Sequence, residues 1–364
     1  MKFICLLLCL AATAPGGRAQ SWKILVTGVD TNLRGISAAK IPSTEHVAIW
    51  ASGSHGVILR SVDDGASWSR VDIPGRPDLD FRGVVAFDDT TAYLMASGAG
   101  EKSRIYKTTN GGALWELQYT DMNKSFFLDS IACISPTRCF ALGDPMREQL
   151  ADHADGQSDA KFLILQTTDG KRWNPLPPQN LPIALPKEGA FAASNSNLLA
   201  ISESELFIAT GGFAARVLHT VEAGKSWTAS AVPIAADNLS SGIFAISRVG
   251  ESYILAVGGD YSNPLVALRV AATSSDVAKS WAVPLKQPSG YRSAVAVVSS
   301  GPSSDLLTLL CVGPTGSDLS PDAGIHWNSF PSRPLNALFV LDESHLYAVG
   351  PNGAINQFLP KESK

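Results

Sequence analysis

The sequence has little charge. Asp, Glu, Lys and Arg make up 17% of 364 residues, and no run of them is basic. A formal net charge of -4 and no basic cluster argue against nucleic acid as the main partner. Long apolar runs are also missing. The longest, Phe3 to Ala14 (FICLLLCLAATA), has 12 residues, too few to span a bilayer. Cofactor and catalytic signatures are absent as well. There is no Gly-x-Gly-x-x-Gly between a strand and a helix, no Cys-x-x-Cys-His and no multi-Cys cluster. No Gly-x-Ser-x-Gly elbow and no His-Glu-x-x-His occur, and His46, His219, His326 and His345 are scattered along the chain. No cofactor and no metal are therefore expected.

What is present suits an exported chain. A short basic start (Met1, Lys2) precedes the apolar run, and Gly17-Arg18-Ala19 places small residues at -3 and -1 of a cut. Residues 1–19 read as a signal peptide cleaved after Ala19, which implies a periplasmic or secreted protein. Cys5 and Cys9 leave with it, and Cys133, Cys139 and Cys311 remain. If Ser135-Pro136-Thr137 is a hairpin turn, Cys133 and Cys139 face each other across it. A disulfide is one reading, favoured by an oxidising compartment; two separate buried thiols are the other. Cys311, in an apolar strand, reads as core. Asn123-Lys-Ser125 and Asn238-Leu-Ser240 are glycosylation sequons by pattern only.

Hydrophobic residues make up 45%, enough for a core, and 31 Gly with 22 Pro suit many short strands. Internal repeats then decide the fold. Six segments share Ser/Thr-x-Asp-x-Gly-x-x-Trp. Ser61 to Trp68 (with Asp63) and Ser320 to Trp327 (with Asp322) match fully. Thr108 to Trp115 has Asn110 at the Asp place, and Thr220 to Trp227 has Glu222. Ser274 to Trp281 keeps Asp276 but has Ala278 for Gly; Thr167 to Trp173 is one residue short, with Asp169 and Gly170. Successive tryptophans lie 47, 58, 54, 54 and 46 residues apart, and Trp22 lies 46 before Trp68 as a seventh copy of the following strand. Side-chain oxygens bonding backbone amides, a glycine for positive φ and a packing Trp make a turn, not a catalytic aspartate.

Seven units open on a polar residue before a small one, at Arg34, Arg82, Asp129, Glu188, Ser241, Arg292 and Asn336. An apolar run then ends in Gly53, Gly98, Gly143, Gly211, Gly258, Gly313 or Gly350. Four strands per unit of 40–50 residues predict an all-β, seven-bladed β-propeller over residues 20–360, with 361–364 as a tail. The last unit stops after three strands, so the strand Trp22 to Thr27 is expected to complete it. The openings would ring the central channel's mouth, joined by loops carrying Ser54-His55, Asp144, Asp260-Tyr261 and Asn352. Three arginines and two acids on one opening read either as an anion or protein-docking site or as a self-satisfied ring of salt bridges. Met146 to Lys161 is a polar insertion with Asp152, His153 and Asp155, read as a surface loop or a metal site.

The turns resemble BNR or Asp-box repeats, found in sialidases and many other propellers. The fuller pattern resembles bacterial relatives of the photosystem II stability/assembly factor, within the WD40/YVTN/BNR-like repeat proteins. It is carried by WASGSHGVILRSVDDGASW (50–68), SRIYKTTNGGALWELQ (103–118), CFALGDP (139–145), EGAFAAS (188–194), ARVLHTVEAGKSW (215–227), VGGDYSNP (257–264), GYRSAV (290–295) and VGPNGAI (349–355). That resemblance implies a seven-bladed, exported, non-enzymatic propeller, and its photosynthetic members help assemble a membrane complex. The charged ring and the missing catalytic motifs add the expectation of a monomer that docks an unidentified protein partner, such as a membrane complex under assembly. The sequence says nothing of the host's metabolism, so a photosynthetic client is not part of the expectation. Some such relatives carry oxidoreductase or glycosyl hydrolase labels. A sialidase-like hydrolase would need Arg34, Arg82 and Arg292 around a carboxylate, a Tyr291–Glu188 pair and Asp129 as acid. The Phe/Tyr-Arg-Ile-Pro opening of sialidases is absent.

Overall fold

The computed structural model describes residues 20–25, 27–146, 160–299 and 307–360. The expected signal peptide, the bulk of the blade 3 insertion (with Asp152, His153 and Asp155) and the C-terminal tail lie outside them. The regular structure of the described residues is strand, apart from two single-turn 3-10 helices, Gly100–Lys102 and Pro178–Asn180. Its antiparallel sheets form seven blades around a channel.

Blade 1 shows the plan: Leu33–Lys40, Val47–Gly53, Ile58–Ser61 and Ser69–Arg70 run from the channel outward. The second strand, VAIWASG, is buried along its whole length. It is covered on both faces, which explains its unbroken apolar run. Blades 2 and 3 open at Phe81–Ala86 and Leu128–Ser135, blades 4 and 5 at Leu198–Ala200 and Ser241–Val249, and blades 6 and 7 at Ala294–Ser299 and Ala337–Asp342. Each neighbouring pair of blades shares one apolar core. That between blades 7 and 1 holds Tyr347 and Val349 against Ile49 and Leu59, and six more close the circle. Each such aliphatic side chain, fully buried, contributes about 1.5–3 kcal/mol of transfer free energy.

The ring closes as the sequence implies. Ser21–Leu25 pairs antiparallel with Ile355–Leu359 as the outer strand of blade 7, from Ser21 opposite Leu359 to Leu25 opposite Ile355. Trp22 packs edge-on against Phe358 at 5.3 Å and donates its indole N–H to Ser317. Segments from the two ends of the described chain thus share one sheet, and the edge of Ile355–Leu359 is paired rather than left open.

The repeated turns are built as their residues dictate. Ser61 Oγ accepts from the Gly65 amide at 2.9 Å and donates to Asp63 Oδ1 at 2.8 Å. Asp63 Oδ1 accepts from the Ser67 amide at 2.9 Å, and Gly65 takes φ +85°. The hydroxyl and amide of Ser67, then the hydroxyl of Ser61, hold Asp63 down at a pKa of about 2. The same network recurs at Thr108–Asn110, Ser274–Asp276 and Ser320–Asp322. Thr167–Asp169 closes the shortened turn, and Glu222 reaches Ser226. In blade 5 the turn leads to an outer strand reduced to the Thr273–Ala282 bridge. Cys133 and Cys139 face each other across the blade 3 hairpin with Cα atoms 4.0 Å apart and form a disulfide; Cys311 is a buried free thiol.

One opening differs from expectation. Glu188–Gly189 does not start blade 4; it pairs with Gly211–Gly212, which meets blade 5 at Gly242. The inner strand of blade 4 is Leu198–Ala200, and the chain between leaves the sheet and enters the channel. Its anchors explain the detour. The Ala192 carbonyl accepts from Arg34 and Arg82, and the Asn195 side chain pairs with the backbone of Ile131 in both directions.

Candidate functional site at the channel mouth

The inner strands begin, and the second strands end, at one end of the channel. There the strap 190–193 forms part of the wall of a cavity of about 450 Å³. Of the seven expected ring residues, Arg34, Arg82, Asp129 and Asn336 line it. Asp144 and Tyr261, placed on the same face by the sequence, line it too, and Phe191, Phe244 and Tyr291 add an aromatic wall.

The other three ring residues are turned to structural work. Arg292 is fully buried, and each of its three guanidinium nitrogens is engaged. Nε bonds Asp318 at 2.7 Å; Nη1 bonds the Tyr291 carbonyl and Thr315; Nη2 bonds Ser289 and Asp318. Glu188 is held by Arg216 through two bonds, at 2.8 and 2.5 Å, by Thr210 and by the Leu185 amide. Ser241 caps its own loop, accepting from the Asp237 and Asn238 amides. Asp260 organises that loop. Burial opposes its charge, but bonds from Ser240, Asn263 and Asn238 bring its pKa to about 2. Neither Ser54 and His55 nor Asn352 lines the cavity. The ring is therefore half opening and half internal brace.

The groups that do face the cavity are less satisfied. Arg34 donates to Ala192 O at 3.2 Å, and its buried Nε has no partner. Burial first, and then the charge of Arg82, lower its pKa. Arg82 donates to Asp80 at 2.8 Å and to Ala192 O at 3.1 Å. Asn336 spans the closure, donating to Asn32 and to the Leu33 carbonyl. Asp129 is 1% exposed, and neither carboxylate oxygen has a hydrogen-bond partner among the described residues. Burial, and then the neighbouring charge of Asp144, raise its pKa well above the usual carboxylate range, with Arg82 opposing. Asp144 accepts from the Ala190 amide at 3.2 Å but is also raised by burial.

The aromatic wall is tightly coupled. Phe191 and Phe244 stack at 4.0 Å, Tyr291 meets Phe244 edge-on at 4.7 Å, and Tyr261 stands edge-on to both phenylalanines. The sequence placed Tyr261 at this end of the channel. Phe191 and Phe244 are its omissions. For Phe191 the signal was the 54-residue interval from Trp173 to Trp227, longer than the plain 46-residue unit and holding the strap; Phe244 had none.

No family model matches the chain. Photosystem II assembly lipoprotein Ycf48 of Synechococcus sp. (strain CC9902) is 34% identical over 76 residues; the match spans 20% of this chain and 20% of that protein. A solved structure described as YCF48 bound to D1 peptide superposes with a TM-score of 0.62 at 13% identity, covering 94% of this chain and 99% of that one. YCF48 from Cyanidioschyzon merolae gives 0.57 at 14% identity over 93% and 98%. The WD40 domain of Neurospora crassa Pan2 also gives 0.57, at 10% identity over 92% of this chain and 91% of that one. The chain is thus similar to Ycf48 in sequence over one segment, and it shares a seven-bladed propeller fold with the solved YCF48 structures over nearly its whole length.

Proposed function

We propose that the protein is an exported, non-catalytic propeller that docks a protein partner at the channel mouth, as an assembly factor does. The observation that carries this is the pair Arg34 and Arg82. Both reach one carbonyl of the strap from neighbouring blades, at the rim of an open cavity. An arginine with donors to spare at a wet opening is suited to carboxylate and carbonyl groups of a partner chain. The likeness to a propeller solved with a peptide bound supports the same reading. Export rests on the basic start and the apolar run Phe3 to Ala14.

No observation favours the sialidase-like alternative. That chemistry needs a third arginine and a Tyr–Glu pair in the cavity, whereas Arg292 is saturated by Asp318 and Glu188 is bound to Arg216. The test is crosslink capture from the native envelope with the mature protein and an Arg34→Glu/Arg82→Glu variant side by side. A partner held by the wild type and lost by the variant supports docking on this rim. Equal capture by both forms would sink it.

A further inference from the structure

Docking on an arginine rim leaves the other half of the cavity without a role. Asp129 is the anomaly. A buried carboxylate ordinarily gathers hydrogen bonds or a cation, because desolvation penalises its charge. Glu188 and Asp318 in this same protein do so, each with an arginine and further donors. Asp129, equally buried, has neither among the described residues, though it borders the cavity. The charges that act on it are those of Asp144 and Arg82, and Arg82 is directed to Asp80 and to the strap carbonyl.

The cavity thus offers unpaired acceptors and under-used donors together. A simple anion would serve Arg34 and Arg82 but would add negative charge beside Asp129 and Asp144. A simple cation would serve the carboxylates but meet two guanidinium groups. A ligand with both charges satisfies both sets. The remaining wall is aromatic, with stacked and edge-on rings that receive apolar groups and the flank of an ammonium. The cavity's 450 Å³ lies within the range of about 300–1,000 Å³ typical of small-molecule sites.

We infer that the channel mouth binds a small zwitterion of the α-amino-acid type: Asp129 and Asp144 receive its ammonium, Arg34 and Arg82 its carboxylate, and the Phe191, Phe244, Tyr261 and Tyr291 rings its apolar side chain. This goes beyond the docking reading, which needs only the arginines.

Isothermal titration calorimetry with L-phenylalanine and L-leucine tests it on the wild-type protein. The expected result is saturable binding of the free amino acids. N-acetyl-L-phenylalanine, which lacks the ammonium, and L-phenylalaninamide, which lacks the carboxylate, should each bind at least tenfold more weakly. Asp129→Asn should weaken the free amino acid by a similar factor and leave the N-acetyl form unchanged. Absence of binding by both free amino acids at millimolar concentration overturns the inference. So does N-acetyl-L-phenylalanine binding as tightly as the free form. The blocked ligands need no mutation, so the inference stays testable even if a variant misfolds. A captured partner lost on Arg34→Glu/Arg82→Glu, without amino-acid binding, removes this inference and leaves docking standing. Amino-acid binding with capture unaffected by that variant does the reverse.

Discussion

Arg292 and Asp129 stand at the same place in their repeats, immediately before the small residue at the repeat opening, Ser293 and Ser130. Blade 6 closes its position: Arg292 and Asp318 are both within the wall, and every guanidinium nitrogen donates to an oxygen. Blade 3 leaves its position open, with a carboxylate as deeply buried and no hydrogen-bond partner among the described residues. The repeat supplies the position but not its use. A completed polar cluster braces the ring; an incomplete one at the rim of a cavity is where a ligand can supply what is missing.

The comparison breaks most forcefully at Arg292. Arg292→Met leaves Asp318 buried and uncompensated, and should cost about 3–5 kcal/mol. Chemical denaturation followed by tryptophan fluorescence would measure it. Adding Asp318→Leu removes the orphaned charge and should restore most of the loss. If the single variant matches wild type, the brace is an ornament of the fold and the contrast with blade 3 fails.

Asp129→Asn should act in the opposite sense. Its carboxyl has a folded pKa raised above the unfolded value, so between the two the folded state holds the extra proton. Stability therefore falls as pH rises from the ordinary carboxylate range through the raised value. Asparagine cannot ionise, so it removes this penalty while leaving a buried polar group just as unpaired, and at neutral pH the variant should be more stable than the wild type. Melting temperatures of both proteins across pH 4 to 8, about the span from the usual carboxylate pKa to neutrality, would show it. The gap should widen with pH. A gap independent of pH would mean that Asp129 is not the group that titrates.

The ring was legible because its logic is local. Turn residues repeat, tryptophans keep step, and Trp22 answers the missing last strand. All of that is written within single units of the chain. The cavity was legible only in part. Arg34, Arg82, Asp129 and Asn336 follow from the repeat phase, whereas Glu188 does not. An insertion there shifts the phase, and the strap it creates is fixed by contacts with blades 1, 2 and 3. Arg292 shows a second limit. Composition cannot tell a guanidinium that faces solvent from one whose acceptors, such as Asp318, lie in a strand of the same blade 26 residues away. Phe191 joins the aromatic wall through the strap for the same reason. Its partner Phe244 is a long-range neighbour that no periodicity names.

The smallest effect refines the comparison at the turns, where completion is the rule. In blade 1 the fifth turn position is Gly65 at φ +85°; in blade 5 it is Ala278 at φ +60°. The alanine amide still bonds Ser274 Oγ, at 3.0 Å, so the hydrogen bonds are complete and only the backbone is strained. An L-residue in the left-handed region costs about 1–2 kcal/mol relative to glycine there, partly offset by glycine's greater freedom in the unfolded chain. Ala278→Gly should therefore stabilise the protein by about 1 kcal/mol or less, with no change in ligand or partner binding. Denaturation midpoints of the two proteins would read it. A loss of stability would show that the Ala278 methyl contributes more to the core between blades 4 and 5 than its backbone strain costs, placing this turn with the braces rather than with strained positions.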